Sequence, residues 1–464
     1  MSEPREDTVT VVGAGLVGSL LSLYLARRGH TVELLERRPD MRRETVDAGR
    51  SINLAISTRG LHALRQLGLE AEALKHAIPM RGRMIHPPQG ALVYQPYGKD
   101  DSQHINSLSR AWLNAFLMTA AEATGQVNIR FKQRVTQLDL GPGTLTVHDD
   151  ATGQVRKETG RVVFGTDGSA SAVRQALEKL PGYTGTQEQL GHGYKELTIP
   201  PGPGGTFQME KHALHIWPRG TYMLIALPNE DGSFTCTLFL PWQGPVSFAS
   251  LDTPERLSAF FDAQFPDAKA LIPDLVEAFF SRPTGSMVTV KGAPWHAGGL
   301  TLLLGDAAHA IVPFFGQGMN CGFEDCVVLD TLLERGGAWE HVFTDFERLR
   351  KTNADAIADM AVENFVEMRD STGDPRFQLR KAVEKVLLNA FPGQFVSRYS
   401  LVSFSRVPYR LAYQVGALTD GIVAELTEGL ASAEDVDLKR AAELIQSRLA
   451  PFLKEHADGF RTEG

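Results

Sequence analysis

Cysteine is scarce in this sequence. The 464 residues include 3 cysteines, Cys236, Cys321 and Cys326, and no two of them have the C-x-x-C spacing. These numbers exclude a disulfide framework and a zinc finger, and they fit a reducing compartment. Long apolar runs are missing too, because no stretch approaches the ~20 residues that span a bilayer. With an acidic, polar N-terminal segment in place of a secretory signal, we expect a cytoplasmic protein without a membrane anchor.

An excess of positive charge is also absent. Lys and Arg number 47 against 55 Asp and Glu, which gives a net charge of -8. Since nucleic acid is bound by a basic surface, this balance argues against nucleic acid as the main partner. Hydrophobic residues make up 43% and charged residues 22%, as in ordinary globular proteins. The sequence therefore indicates an intracellular globular protein, and we expect an enzyme.

The first forty residues predict a βαβ unit. A β-branched run at Thr8–Val12 is typical of a buried strand, and the turn G-A-G-L-V-G follows it directly. An amphipathic helix is predicted over 20–28 and a second strand over Thr31–Leu35, which ends at Glu36.

The glycine spacing of that turn has a physical purpose in dinucleotide binding. Gly13 makes the tight turn, Gly15 lets the backbone approach a pyrophosphate, and Gly18 allows close packing of helix on strand. The free N–H groups of the helix then face the phosphates, and Glu36 can accept hydrogen bonds from ribose hydroxyls. A carboxylate there favours FAD or NAD over NADP, although Arg37 and the arginine after it weaken this argument. The alternative is a tight strand–helix turn without a ligand.

Two later motifs place an aspartate at the end of a predicted buried strand. Asp167 lies in G-T-D-G, and Asp306 lies in L-G-D-A-A-H, which P-F-F-G-Q-G-M-N follows. Asp306 can accept hydrogen bonds from the ribityl chain of a flavin, and the free N–H groups of 316–320 can face its pyrimidine end. The alternative is that both aspartates are helix caps. A packed, hydrogen-bonded role is the more economical interpretation of His309.

In this order and spacing, G-A-G-x-x-G, D-G, G-D-A-A-H and P-x-x-G-Q-G resemble the motifs of the FAD-dependent aromatic hydroxylases. The resemblance implies an α/β fold with a Rossmann-like FAD-binding domain, and the element pattern adds an inserted antiparallel-sheet substrate domain and a helical C-terminal region. We expect the FAD-binding domain in 1–75, 105–185 and 290–370, the substrate domain in 76–104 and 186–289, and the helical region in 371–464.

Five further stretches resemble the kynurenine-hydroxylating branch of that family. They are G-R-S-I-N-L at 49–54, M-R-G-R-M-I-H at 80–86, Q-P-Y-G at 95–98, A-L-H-I-W-P at 213–218 and M-A-V-E-N-F-V-E-M at 360–368. The resemblance implies hydroxylation of L-kynurenine to 3-hydroxykynurenine with NADPH and O2, through a C4a-hydroperoxide of bound FAD. Because the flavin carries this chemistry, we expect neither a catalytic side chain nor a metal. A homodimer is possible.

The same resemblance implies the site residues. Arg83 and Tyr97 are expected to hold the substrate carboxylate, Asn364 to add a hydrogen bond, and Gln317 to touch the aryl ketone or amine. The ring is expected to pack against Leu214, Phe239, Pro313, Phe314 and Met368, with Tyr399 nearby. The expected cofactor-binding residues are Gly13, Gly15, Gly18, Glu36, Arg37, Arg110, Asp167, Asp306, Gly318, Met319 and Asn320.

Several alternatives stay open. Arg83 and Arg110 could be surface charges, Met368 could belong to a helix core, and Phe239 could pack the sheet. Phe315 occupies a position where related bacterial sequences often carry histidine, which leaves the wall chemistry near the flavin open. The whole chain could instead hydroxylate another aromatic acid or a phenol, or be a non-catalytic flavoprotein. A flavin-dependent halogenase is disfavoured because the sequence has no W-x-W.

Overall fold

A computed structural model of the chain describes residues 8–44, 53–98, 100–368 and 375–460. The 49–52 part of the G-R-S-I-N-L stretch lies outside the described residues.

The described residues form β-strands along most of the first two thirds of the chain. In chain order they are Thr8–Val12 (β1), Thr31–Leu35 (β2), Leu54–Ile56 (β3), Ile78–Met80 (β4), Gly82–Ile85 (β5), Val93–Pro96 (β6), Ile105–Leu108 (β7), Val127–Arg130 (β8), Gln133–Asp139 (β9), Thr144–Asp149 (β10), Val155–Thr159 (β11), Val163–Gly165 (β12), Thr184–Ile199 (β13), Ala213–Pro218 (β14), Met223–Pro228 (β15), Phe234–Pro241 (β16), Gly285–Ala293 (β17), His296–Ala297 (β18) and Thr301–Leu303 (β19).

Helices alternate with the early strands and dominate the C-terminal third. They are Leu16–Arg27 (α1), Thr58–Gln66 (α2), Glu70–Lys75 (α3), Arg110–Ala123 (α4), Ala172–Leu177 (α5), Pro254–Gln264 (α6), Pro266–Leu271 (α7), Leu275–Ser281 (α8), Asp306–His309 (α9), Gly318–Glu334 (α10), Trp339–Val366 (α11), Pro375–Ala390 (α12), Arg398–Phe404 (α13), Tyr409–Leu426 (α14), Leu438–Leu444 (α15), Ala450–Glu455 (α16) and Ala457–Phe460 (α17).

A six-stranded sheet carries the nucleotide-binding motifs. Its order is β18-β19-β12-β1-β2-β8, and every pairing is parallel except the one that adds β18 at the edge. Both predicted strands of the βαβ unit are confirmed residue for residue. The helix between them begins at Leu16, four residues before the prediction, because Gly15 is already its N-cap. The carboxyl ends of β1, β12 and β19 therefore bring the three Gly- and Asp-containing turns to one edge of the sheet.

A seven-stranded sheet forms the second layer, in the order β17-β13-β16-β15-β14-β5-β6. Only β14 and β5 pair in parallel within it. One face packs on α6, α7 and α8, while residues such as Ile216 and Phe239 pack with Phe314 and Phe365 on the other side. The predicted domain limits at 185/186 and 289/290 fall inside the strands β13 and β17. The division of the chain into domains stays a prediction.

The C-terminal helices share a core with α11. Ile357 and Met360 of α11 lie in one apolar cluster with residues of α12, α13, α14 and α15. Within the described part of the chain, no helix combines the length and the apolar character that crossing a bilayer requires.

A half-exposed carboxylate, Asp267, fastens the seven-stranded sheet to α7. Trp217 Nε1 donates to Asp267 Oδ2 at 2.8 Å, and His86 Nδ1 lies 2.8 Å from the same oxygen. Burial alone would raise the pKa of Asp267, but the hydrogen bonds from His86 and Trp217 outweigh it and hold the pKa at about 2. The ionised carboxylate of Asp267 is therefore more stable in the folded protein than in the unfolded chain.

Asp267→Asn is expected to lower the free energy of unfolding at pH 7 by about 1 kcal/mol, since the half-exposed carboxylate is partly screened by water. Because its folded pKa lies below the unfolded value of about 3.9, this stabilisation is present above pH ~4 and is lost as the pH falls towards 2. Urea unfolding at several pH values measures it. Asp262→Asn, at an exposed ion pair with Lys269, is the control and should change little. An Asp267→Asn deficit that does not shrink in acid would contradict the assignment.

Candidate active site

One cavity of about 570 Å³ runs from the Gly-rich turn after β1 to the face of the seven-stranded sheet. Its lining residues come from both of the large sheets, from the two three-stranded sheets β11-β10-β9 and β3-β7-β4, and from helices that include α1, α9, α10 and α13. Its two ends differ in chemistry. Backbone turns and charged side chains line one end, and an arginine and aromatic side chains line the other.

The Gly-rich turn is packed tightly against protein at two of its glycines and is open at the third. Gly13 has a φ of +99°, and a Cβ there would lie 2.7 Å from Thr166 O. A Cβ on Gly18 would lie 1.9 Å from Gly13 O. A Cβ on Gly15 would meet no atom within 4 Å, and Gly15 lines the cavity. The space in front of Gly15 is therefore free for a ligand that approaches the backbone.

Acidic side chains surround this end of the cavity. Glu36 Oε2 accepts from Ala14 N at 2.8 Å and Oε1 accepts from Arg38 N at 2.9 Å, so Glu36 braces the turn while it lines the cavity. Asp167 accepts from Ser171 Oγ at 2.5 Å and from Ala172 N at 2.7 Å, and burial raises its pKa. Asp306 is exposed to the cavity at the start of α9.

The other predicted cofactor residues divide into two groups. Arg37, Arg110, Gly318 and Met319 line the cavity. Gly18 and Asn320 are not among its lining residues. Asn320 instead ties α10 to β3, because its Nδ2 donates to Ala55 O at 2.9 Å and its Oδ1 accepts from Ser57 N at 3.0 Å.

An arginine beside two stacked tyrosines defines the opposite end. The rings of Tyr97 and Tyr399 stack at 5.1 Å and 13°, and the Arg83 guanidinium carbon lies 5.6 Å and 5.2 Å from their centroids. Arg83 makes no salt bridge with a carboxylate in the described part of the chain, and its buried Nε has no hydrogen-bond partner there. Burial raises the pKa of both tyrosines, which keeps them neutral. This end is a cationic pocket that suits an anionic group.

Apolar side chains fill the stretch between the two ends. Phe314 stacks on Phe365 at 4.2 Å and lies 4.9 Å from Phe239. Phe315 lines the cavity and stacks on Tyr399 at 5.7 Å. All five predicted ring contacts line the cavity, namely Leu214, Phe239, Pro313, Phe314 and Met368.

Two predicted substrate residues are not among the lining residues. Asn364 Nδ2 donates to Phe314 O at 2.7 Å, and Gln317 Oε1 accepts from Tyr409 OH at 2.8 Å. Both amides are buried and brace the backbone or the helix behind the cavity wall.

Sequence reasoning missed Met223, Ile225 and Leu227, which line the cavity from β15. Their spacing of two along a strand was the available signal, because alternate residues of a strand share one face. The sequence alone did not show which face of β15 meets the cavity.

The arrangement fits FAD. Gly15 leaves space beside the backbone, and neither α1 nor α10 has a side-chain N-cap, so their first N–H groups are available to a phosphate or to the flavin ring. Asp306 offers an acceptor at the same sheet edge.

Comparison with known proteins agrees with this interpretation. The family described as "FAD binding domain" matches residues 6–213 and 274–361. A solved 2-methyl-3-hydroxypyridine-5-carboxylic acid oxygenase has a TM-score of 0.64 at 22% identity, covering 80% of this chain and 95% of its own. PqsL of P. aeruginosa, solved with 2-aminobenzoylacetate, has a TM-score of 0.60 at 20% identity, covering 78% and 97%. These solved structures show the fold, and fold and site together define an FAD-dependent aromatic hydroxylase.

Sequence relatives identify the family to which the chain belongs within this class of hydroxylases. A kynurenine 3-monooxygenase of Myxococcus xanthus is 88% identical over 464 residues, which is 100% of both chains. A kynurenine 3-monooxygenase of Dictyostelium discoideum is 44% identical over 456 residues, covering 95% of this chain and 98% of its own. The chain belongs to the kynurenine 3-monooxygenase family.

Gly15→Val is expected to weaken FAD binding at least about tenfold, because the side chain would fill the space that the structure leaves open without touching protein. Fluorescence titration of the apoprotein with FAD measures the dissociation constant. Gly191→Val is the matched control, since a Cβ there also meets nothing within 4 Å but lies outside the cavity. Equal FAD affinity in both variants would show that the pyrophosphate does not lie at Gly15.

Proposed function

We propose that the protein hydroxylates L-kynurenine to 3-hydroxykynurenine with NADPH and O2. The observation that carries the proposal is the Arg83 guanidinium, which lies beside two neutral, stacked tyrosines at the end of the cavity away from the Gly-rich turn. Full-length identity of 88% to a kynurenine 3-monooxygenase supports the substrate.

The chemistry of kynurenine fits the two parts of this pocket. Its carboxylate needs a cation with planar donors, which Arg83 supplies, and Tyr97 and Tyr399 add hydroxyl groups beside it. Its aryl ketone needs an apolar slot, which Phe239 and Phe314 supply.

Bound FAD supplies the activation of dioxygen and the transfer of one oxygen atom to the ring. The chain must hold the ring in place and exclude water from the reacting atoms. Phe239, Phe314 and Met368 are nine-tenths or more buried, so they form a dry wall at the place where the ring would lie.

The cofactor residues are proposed in the same way. Gly13, Gly15 and Gly18 shape the turn that receives the pyrophosphate, Glu36 accepts from the ribose, and Asp306 accepts from the ribityl chain. Arg37, Arg110, Asp167, Gly318, Met319 and Asn320 complete the predicted set.

Asn364 and Gln317 are assigned a supporting part in this proposal. Each amide bonds to protein in the structure, to Phe314 O and to the Tyr409 hydroxyl. Direct contact with the substrate remains a prediction from the family resemblance, and it would need these side chains to turn.

A cytoplasmic location and a homodimer also stay proposals. The three cysteines are all free and buried, which is compatible with a reducing compartment.

Purified protein with FAD, NADPH and L-kynurenine is expected to give a product heavier by one oxygen atom, with the hydroxyl at ring position 3. Mass spectrometry of the product, against a panel of phenols and hydroxybenzoates, measures the preference. Turnover of a panel member in preference to kynurenine would favour another aromatic hydroxylase. Flavin binding without turnover of any compound would favour a non-catalytic flavoprotein.

Arg83→Ala is expected to weaken L-kynurenine binding by about 2 kcal/mol or more, roughly 30-fold, because the substrate carboxylate loses its buried cation. Flavin content should be unchanged, since Arg83 lies at the other end of the cavity from Gly15. Steady-state KM and flavin absorption measure the two effects.

Arg81→Ala provides the matched control. Arg81 lies two residues away, pairs with Asp101 and does not line the cavity, so its loss should leave KM near that of the parent protein. A kynurenine analogue without the carboxylate should not distinguish Arg83→Ala from the parent. If Arg83→Ala loses flavin instead of substrate affinity, the proposed orientation of the two ligands is wrong.

A further inference from the structure

A single buried carboxylate holds both ends of the short helix α9. Asp325 Oδ2 accepts from Gly305 N at 2.9 Å, and His309 Nε2 lies 2.6 Å from the same oxygen. Gly305 is the N-cap of α9 and His309 is its last residue, so the one-turn helix that begins with Asp306 is closed by one oxygen atom.

Several contacts hold this helix in place, and the bonds to Asp325 are the ones that reach both of its ends. A single turn is unstable alone, because helix nucleation fixes several backbone angles for one hydrogen bond. Gly305 has a φ of +57°, a left-handed value, and a Cβ there would lie 2.9 Å from Val17 Cγ2. Arg174 Nη1 also donates to Ala307 O at 3.1 Å, and Val290 N donates to Ala310 O at 2.8 Å. The position of the Asp306 backbone therefore depends on these bonds, on the bonds to Asp325 and on the contact with α1.

The other carboxylate oxygen of Asp325, Oδ1, also accepts a hydrogen bond. Arg350 Nε donates to Asp325 Oδ1 at 2.7 Å, and Arg350 also pairs with Glu324. Burial alone would raise the pKa of Asp325, but His309 and Arg350 outweigh it and hold the pKa at about 2. Asp325 is therefore a fully buried carboxylate whose two oxygens both accept hydrogen bonds.

Hydrogen bonding accounts for this cluster better than metal binding does. The ligand atoms of His309, Cys321 and Asp325 lie within 4.8 Å of one another. However, Arg350 donates to Asp325 and, from Nη2, to Cys321 Sγ at 3.3 Å. A metal cation there would face the positive charge of the guanidinium.

We propose that Asp325 is a positioning residue for FAD: by closing α9 it keeps the Asp306 carboxylate at the cavity. The proposal rests on the proposed role of Asp306 as an acceptor for the cofactor. Asp325 itself is fully buried and is not a cavity-lining residue, so it acts through α9.

A double-mutant cycle tests this proposal. FAD dissociation constants are measured by titrating the apoproteins of the parent, Asp325→Asn, Asp306→Ala and the double variant. Each single variant is expected to bind FAD at least about tenfold more weakly, and the double variant within about twofold of Asp306→Ala, because both changes remove the same contact. Additive losses would overturn the proposal. So would parental affinity in either single variant.

Asp330→Asn controls for a general loss of stability. Asp330 lies on the same helix α10, is buried, and accepts from Arg27 and Arg28. The Asp330→Asn substitution should lower the midpoint of thermal unfolding but leave the FAD dissociation constant unchanged. An equal loss of FAD affinity in Asp330→Asn and Asp325→Asn would show a merely structural role.

A second pair of variants covers the case in which Asp325→Asn does not fold. His309→Ala removes one of the two bonds that close α9, and it should weaken FAD binding about three- to tenfold without adding to Asp306→Ala. His309→Gln, whose amide can still donate to Asp325, should restore the affinity. Parental affinity in His309→Ala would overturn the proposal. None of these measurements uses kynurenine, so their results do not depend on the proposed substrate.

Discussion

An arginine, Arg83, lines one end of this cavity and forms no salt bridge among the described residues. Removing an arginine from water is costly unless an anion or a set of acceptors compensates. In the described part of the chain, the rings of two tyrosines lie beside Arg83, Glu367 acts on it through its charge without pairing, and its Nε has no hydrogen-bond partner. A cation of this kind on a cavity wall suits an anionic ligand, and a carboxylate matches the planar donors of the guanidinium.

At the opposite end, open space in front of a glycine accompanies charged side chains. Gly13 and Gly18 are required by close contacts within the protein, whereas the space in front of Gly15 is open. Apolar walls join the two ends, so under the proposed assignment FAD at α1 and an aromatic acid at Arg83 would meet in a dry space. The C-terminal helices belong to this site as well, because α13 contributes Tyr399.

Local patterns predicted the nucleotide-binding part well. The strands β1 and β2 are short, β-branched and buried, so their limits follow from the sequence, and the glycine spacing places the turn between them. The sixteen-residue strand β13 was not predicted. Its first half is exposed and contains Gly185 and Gly191, so it shows no alternation, and it is held by pairing with β17 about a hundred residues away.

The direction in which a side chain points was harder to predict than the part of the fold in which it lies. Gln317 lies between two cavity residues in sequence, and Asn364 lies one helical turn before Met368. Their hydrogen bonds, however, go to Tyr409, which is 92 residues from Gln317, and to Phe314, which is 50 residues from Asn364. The grouping of Arg83 with Tyr97 and Tyr399 likewise needs a hairpin and a helix more than 300 residues apart. Only the family resemblance supplied it before the structure.

The central claim is that FAD and L-kynurenine occupy the two ends of one cavity at the same time. A titration of the oxidised, FAD-loaded protein with L-kynurenine, without NADPH and followed by the visible absorption of the flavin, tests it most directly. A saturable change in the flavin spectrum with one equivalent of kynurenine is the predicted result. Kynurenine that binds, as measured by calorimetry, while the flavin spectrum stays unchanged would place it outside this cavity and contradict the account.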